Sequence, residues 1–316
     1  MNKSTRIILL FLFALFFANP NVYALIAKKD SVTLFKFSPT YNKARTIGFT
    51  SVTGTAMAAS FVGLNQLWYK DYPREAFHLF DDNKEWLQMD KIGHSFSTYK
   101  LGKISVYMLR WSGVDNKKAI WYGSFAGSFY LLGIEIMDGF SSGWGFSLGD
   151  FAANTIGSAM VLSQNLLWNE TKVEIKYSYK TSTYAQYRPN LLGSTRLEQM
   201  FKDYNAQNYW LSFGPANLIK GETKFPKWIN VAIGYGANGM IGGHENPLID
   251  AKTGLAYPTF ERYRQVYLGL DINLAKIKTK YKTLNSALAL FGFLKIPMPA
   301  LEYNKIDGLK FHPLFF

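Results

Sequence analysis

The sequence predicts an α+β protein: an N-terminal helical bundle of about four helices, then an antiparallel β-rich domain read either as an open sheet or as a small or partial barrel. Three observations predict it. Apolar and small residues recur at helical spacing as far as Trp168, the period changes to two after Asn169, and the chain opens with a leader that directs export. The expected divisions are therefore 1–24 (signal peptide), 25–168 (helical) and 169–316 (β-rich).

The leader has three parts. Lys3 and Arg6 precede an unbroken apolar run from Ile7 to Phe17, and Asn19-Pro20 leads into a small-residue site ending Val22-Tyr23-Ala24. That is the order of a secretory signal peptide, with cleavage expected after Ala24. The apolar run is too short to cross a hydrocarbon core of roughly 30 Å as a helix. The sequence contains no cysteine, so neither a lipidated cysteine nor a disulfide tethers it.

The formal charge is +13, and losing Lys3 and Arg6 with the leader lowers it by two, to +11. A positive balance favours anionic surfaces. For an exported chain those are phospholipid headgroups or lipopolysaccharide phosphates rather than nucleic acid. Tyr, Phe and Trp make up 17% of the chain, a load that suits half-wet, half-apolar surfaces such as a membrane interface.

In the helical half, Thr46 to Trp68 carries no charge and is long enough to be read as a membrane span, although its Gly, Ser, Thr and Ala content makes it a weak one. Leu101 to Trp111 and Ala119 to Phe140 follow, joined by the Gly113-Val114-Asp115-Asn116 turn, in which Asp115 or Asn116 is the expected N-cap. Ser147 to Trp168 closes the set. Ser147 ahead of Asp150 reads as a capping box with Asp in place of Glu. Gly123 with Gly127, and Gly149 with Ala153 and Gly157, give two helices smooth faces for close backbone approach.

Past Asn169, Val173 to Tyr179 and Val266 to Leu274 alternate cleanly, the second with one wholly aliphatic face. Tyr209 to Phe213, Trp228 to Tyr235 and Leu309 to Phe316 complete the expected strands, the last interrupted by Pro313. Leu284 to Phe293 is either a short apolar helix or a buried strand. Lys276, Lys278, Lys280 and Lys282 alternate with uncharged residues, so a strand there would put four ammonium groups on one side for contact with an anionic surface. A solvated strand face or a protected edge is the plainer reading of the same stripe.

The residues that carry candidate chemistry are acidic and imidazole groups set in apolar helices. Asp90 and His94 lie four apart, Glu135 and Asp138 three apart, and Asp150 and Asn154 four apart, each pair on one helix face. Packed together, such helices bring a histidine and several carboxylates to one point. That set suits a hard or borderline divalent metal, with Asp90, His94, Glu135, Asp138 and Asp150 as candidate ligands, or an acid/base site drawn from His94, Glu135, Asp138 and Asp150. The structural alternative is a buried hydrogen-bonded network in which Lys91 neutralises an aspartate. No Gly-rich phosphate loop, nucleophile elbow or HExxH pair is present, and no organic cofactor is expected.

At these residues the chain resembles a known group. DKIGHSF, IEIMDG and SSGWGFSLGDFAANTIG are similar in order and spacing to motifs of the YfiM-like family, predicted periplasmic lipoproteins of unknown function. They resemble, more loosely, the VanZ-like membrane proteins. The resemblance covers Trp68 to Trp168 and implies Asp90, Lys91, His94, Glu135, Asp138, Trp144, Asp150 and Gly157 as marked positions, without implying an activity. The chain departs from the family in lacking the lipid-accepting cysteine and in carrying the β-rich tail, which looks like the tails of family members from Bacteroidota. The expectation is an envelope protein, periplasmic or at the outer membrane, whose polar cluster organises the bundle or binds a small ligand. A metal-dependent hydrolase acting on a lipid-linked or phosphate-bearing substrate, and an integral inner-membrane protein of VanZ-like type, are the alternatives.

Overall fold

The computed structural model describes residues 37–69, 72–217 and 226–315. The expected signal peptide and the terminal Phe316 lie outside them. Two compact units are present: the described part of Met1–Asp81 with Ser97–Asn169, and Asp82–Phe96 with Glu170–Phe316.

The first unit is helical: α1 (Lys43–Leu64), most of α2 (Met89–Trp111), α3 (Asn116–Gly139) and α4 (Leu148–Trp168). Helix starts are capped by short polar side chains that accept otherwise orphaned backbone N–H groups. Asn42 accepts from the Arg45 N–H at 3.0 Å, Asp115 from Lys118 at 3.1 Å, and Ser147 from Asp150 at 3.0 Å. α2 begins well before the expected Leu101, because the Asp90 to His94 motif is itself its first turn. The Gly123 and Gly127 face packs as expected. A Cβ on Gly123 would meet the Val106 backbone nitrogen at 2.5 Å, and one on Gly127 the Thr98 carbonyl oxygen at 2.7 Å, so α3 lies backbone to backbone on α2. α3 and α4 are joined by Ser128, whose hydroxyl lies 2.7 Å from that of Ser158 and donates to the Asn154 carbonyl at 2.8 Å.

Beside apolar core residues such as Val106, Ile120 and Leu131, this unit buries polar groups and leaves large apolar side chains outside. Ser124, Glu135, Asp150, Asn154 and Ser158 are buried, while Trp121, Tyr122, Phe129, Ile156 and Leu167 are exposed. α1 is long and apolar enough to cross a membrane, and only 17% of its apolar window is buried.

The second unit is built on β1 (Val173–Tyr179), the short helices α5 (Pro189–Leu192) and α6 (Arg196–Lys202), β2 (Gln207–Phe213), β3 (Ile229–Asn238), β4 (Tyr263–Ile272), α7 (Lys282–Leu290), β5 (Met298–Asn304) and β6 (Gly308–Phe315). The strands form one 6-stranded sheet in chain order, each antiparallel to the next. β1 and β6 do not pair, so the sheet is open and the barrel alternative is corrected. The outer edge of β1 is taken by a bridge between Tyr177 and Leu294, which leaves no room for β6.

The apolar segment Leu284 to Phe293 resolves as α7 followed by a 3-10 turn. The lysine stripe is not a strand. Lys276 ends a 3-10 turn and Lys282 opens α7, because β3 starts at Ile229 opposite Ile272 and the chain beyond Ile272 has no strand to pair with. Pro313 does not break β6. The strand pairs through that region with a register shift at Met298/Ala300, and an edge strand tolerates a missing N–H.

Register gives the sheet two chemically distinct faces. Ile175, Leu211, Ile233, Leu268, Leu301 and Phe311 form one row across all six strands, flanked by a parallel row that includes Tyr209, Tyr235, Val266, Tyr303 and Leu309. The opposite face holds Trp210, Tyr267 and Phe315 among polar groups. There Lys176 on β1 pairs with Asp271 on β4 at 2.6 Å, with both side chains fully buried. A contact between strands three places apart requires strong curl, and this polar face is its concave side.

Candidate ligand site around Asp90

The site begins with a strained turn. Trp86, Leu87 and Gln88 stand at φ 48°, 50° and 67°, three successive L-residues in the left-handed region that normally suits glycine. The surroundings hold them there. Trp86 N–H donates to Gly243 O at 2.9 Å, the Tyr235 hydroxyl donates to Leu87 O at 2.6 Å, and Arg264 donates to the Gln88 side chain at 2.7 Å. The Trp86 ring lies 5.4 Å from that of Tyr204. Persistent strain of this kind occurs where the surrounding fold over-determines the backbone, and such places gather at functional sites.

The turn delivers Asp90 and His94 on the first turns of α2. His94 Nε2 lies 3.8 Å from Asp90 Oδ1, and the two side chains are about one-fifth exposed, at 20% and 22%. Tyr204 donates to Asp90 Oδ1 at 2.5 Å, and Lys91 reaches Asp90 Oδ2 at 3.2 Å and Asp82 at 2.7 Å. Burial pushes the Asp90 carboxyl upward, but His94, Lys91 and the Tyr204 hydroxyl outweigh it and hold the group below the usual carboxylate range. Beside this set, Glu85 pairs with His244 at 3.3 Å. Burial, with Asp82 and Asp90 nearby, raises the Glu85 carboxyl above its ordinary value despite His244 and Lys91. A carboxylate oxygen and an imidazole nitrogen within 4.8 Å of each other are a donor pair suited to a borderline divalent cation.

The other predicted polar residues belong to the helical unit, where the Glu135 and Asp138 pair divides. Glu135 is buried and accepts from the Ser147 N–H at 3.3 Å, next to the Ser147 hydroxyl that caps Asp150. Asp138 turns away and accepts from the Tyr69 hydroxyl at 2.6 Å. Burial, then the Asp138 charge, raises the Tyr69 phenol far above its usual value and keeps it protonated. Asn154 is buried, its carbonyl taken by Ser128. Trp144 packs on Tyr69 and Tyr72, with ring centroids 5.6 and 4.6 Å away.

Sequence reasoning missed Tyr204, Asp82, Glu85 and the left-handed turn. Tyr204 lies more than a hundred residues from its partner, and Trp86-Leu87-Gln88 has no glycine to signal positive φ. It also missed the concave face of the sheet. Beyond Lys176 and Asp271, this holds a second network in which Glu302 accepts from Gln265 at 2.6 Å and lies 2.7 Å from His312. The alternation of β4 and β5 was a signal for it, because Gln265, Asp271, Glu302 and Asn304 all fall opposite the aliphatic positions.

No curated protein and no solved structure matches the chain. Residues 78–165, which hold all three helical motifs, match the model of a family described as predicted periplasmic lipoprotein (DUF2279), in agreement with the family resemblance of those motifs and with an exported, cell-envelope protein.

Proposed function

We propose that this is an exported envelope protein, working in the periplasm against the outer membrane, that holds a small ligand at Asp90 and His94, the simplest such ligand being a divalent cation. The observation that carries the reading is the Asp90 carboxylate itself: ionised, one oxygen 3.8 Å from an imidazole, partly open to solvent, and presented by a strained turn. Lys91 does not compete for that oxygen, because it sits on Oδ2 and is shared with Asp82. In the helical unit, the Glu135 carboxylate accepts from the Ser147 N–H and the Asp138 carboxylate from the Tyr69 hydroxyl, a role in organising the bundle.

Titration calorimetry of the mature chain with Zn²⁺, Mn²⁺ and Ca²⁺ tests the ligand. One cation is expected to bind, with binding lost in Asp90→Asn and His94→Ala and retained in Asp138→Asn. Absence of binding by all three ions sinks the cation, and binding that survives both substitutions sinks the site. Cell fractionation tests the location, and recovery with the inner membrane sinks the outer-membrane part.

A second reading is a metal-dependent hydrolase of a lipid-linked or phosphate-bearing envelope substrate, taking His94, Glu135, Asp138 and Asp150 as ligands or acid/base groups. The carboxylate–imidazole pair favours it. It requires loss of turnover, with stability unchanged, in Asp150→Asn as well as His94→Ala. The VanZ-like inner-membrane reading rests on α1 alone among the described residues.

A further inference from the structure

The sheet of the second unit is inside-out for a water-soluble domain. Its concave face buries Lys176, Asp271, Gln265, Glu302 and Asn304, whereas its convex face exposes large apolar side chains. On β4, Val266, Leu268 and Leu270 are 47%, 52% and 41% exposed, and on β6, Leu309 and Phe311 are 71% and 61% exposed. Register makes these one surface, running without a charged side chain through Leu211, Ile233, Leu268, Leu301 and Phe311. An exposed apolar patch of this continuity marks an interaction surface.

Charge identifies the occupant. The end of the sheet where β3 starts and β4 stops is basic and aromatic: exposed Lys227 and Trp228 precede Ile229, and exposed Lys278, Lys280 and Tyr281 follow Ile272. The Lys276–Glu170 pair, at 3.6 Å, ties that segment to the start of β1 at the same end. Among the described residues, Lys227, Lys278 and Lys280 have no carboxylate at ion-pair distance. A second copy of the chain would bring the same ammonium groups against one another. An anionic bilayer offers them phosphates, offers Trp228 and Tyr281 the interfacial zone, and offers the convex face hydrocarbon.

We infer that the convex face of β3–β6 seats on the surface of a bilayer containing anionic lipid, with the Lys227, Lys278 and Lys280 end at the headgroups. The sheet lies along the interface and does not span. β6 is an edge strand, and its outward N–H and C=O groups require water or headgroups as partners. This seat is independent of any cation at Asp90.

Flotation of the mature chain with vesicles tests it, using phosphatidylcholine alone and phosphatidylcholine with roughly one-third phosphatidylglycerol. The wild type is expected to float with the anionic vesicles. Lys278→Glu with Lys280→Glu is expected to lose at least about tenfold in affinity for them. Leu268→Asn with Phe311→Asn is expected to lose binding while keeping its circular dichroism spectrum, whereas Ile156→Asn, an exposed apolar position of α4, keeps it. If the face variant fails to fold, Leu309→Asn alone and protection of Trp228 fluorescence from aqueous quencher by vesicles take its place. The proposal is overturned if the face variants float like the wild type, if Ile156→Asn abolishes binding equally, or if the wild type is a dimer that ignores vesicles. Asp90→Asn floating like the wild type, whatever its cation binding, separates the lipid seat from the ligand reading.

Discussion

The Tyr204 hydroxyl donates a 2.5 Å hydrogen bond to Asp90 Oδ1, joining the 3-10 turn that leads into β2 to the first turn of α2. A hydrogen bond to an ionised group contributes about 1.5–3 kcal/mol, so Tyr204→Phe is expected to lower the unfolding free energy by about that much at neutral pH. The sign of the pH dependence follows from Asp90. Its folded-state pKa is depressed, so the stability it contributes is fully present above the ordinary carboxylate range of about 4 and is lost as pH falls through the folded value. Urea unfolding of both proteins as a function of pH should give curves that converge on the acid side. A gap that stays constant into acid contradicts the assignment.

The left-handed turn gives a second prediction. Each L-residue in that region costs roughly 1–2 kcal/mol relative to glycine, which carries no Cβ penalty. Leu87→Ala loses packing and keeps the penalty, whereas Leu87→Gly loses slightly more packing and sheds it. Glycine is therefore expected to be the more stable variant by about 1 kcal/mol in chemical denaturation, the reverse of the order on a helix.

Contact between α2 and α3 supplies a third. A methyl group at Gly127 meets Thr98 backbone atoms at 2.7 and 2.8 Å, and backbone cannot rotate away as a side chain can. Gly127→Ala is expected to destabilise by about 1–3 kcal/mol despite alanine's higher helix propensity. Gly54→Ala on α1, where nothing lies within 4 Å, should be neutral or stabilising. Thermal melts of the two variants decide the point.

The Lys176–Asp271 pair predicts strong non-additivity. Removing either partner leaves the other charge buried without this counter-ion. Among the described residues, only the Ser212 hydroxyl on Asp271 or the Ile272 carbonyl on Lys176 then remains as a direct hydrogen-bond partner, so Lys176→Met and Asp271→Leu should each cost about 3–5 kcal/mol. The double variant should recover much of that loss, because two apolar side chains need no compensation. A double-mutant cycle with no coupling would show that the pair does not clasp the sheet.

Local rules made much of the fold legible. Asp115 and Ser147 cap as their side chains dictate, Gly123 and Gly127 mark a close helix contact, and the alternation of β1 and β4 reads directly as strand. β5 escaped because Pro299 interrupts its pattern, and α5 and α6 are too short to show a period. The lysine stripe after Ile272 failed because alternation reports a strand only where a neighbouring strand remains to pair with. At the site, Asp90 and His94 were legible through helical spacing, since four residues make one turn. Tyr204, Glu85 and Asp82 were not, because side chains that meet through tertiary folding leave no local trace. Alternation showed that the strands have one aliphatic face, but not which face the curl turns inward: Lys176, Gln265, Asp271 and Glu302 are buried while Leu268 and Phe311 are exposed.

The sequential strand order has a consequence for how the exported chain matures. In a meander each new strand docks on the one made just before it, so the sheet grows by short loop closures as the polypeptide arrives. The clasp is the exception. Lys176 belongs to the first strand and Asp271 to the fourth, so the lysine must wait, hydrated and unpaired, while three hairpins assemble. Docking of the fourth strand, rather than the pairing of the first two, is therefore the step that shuts Lys176 and Asp271 away from water and fixes the curvature of the sheet.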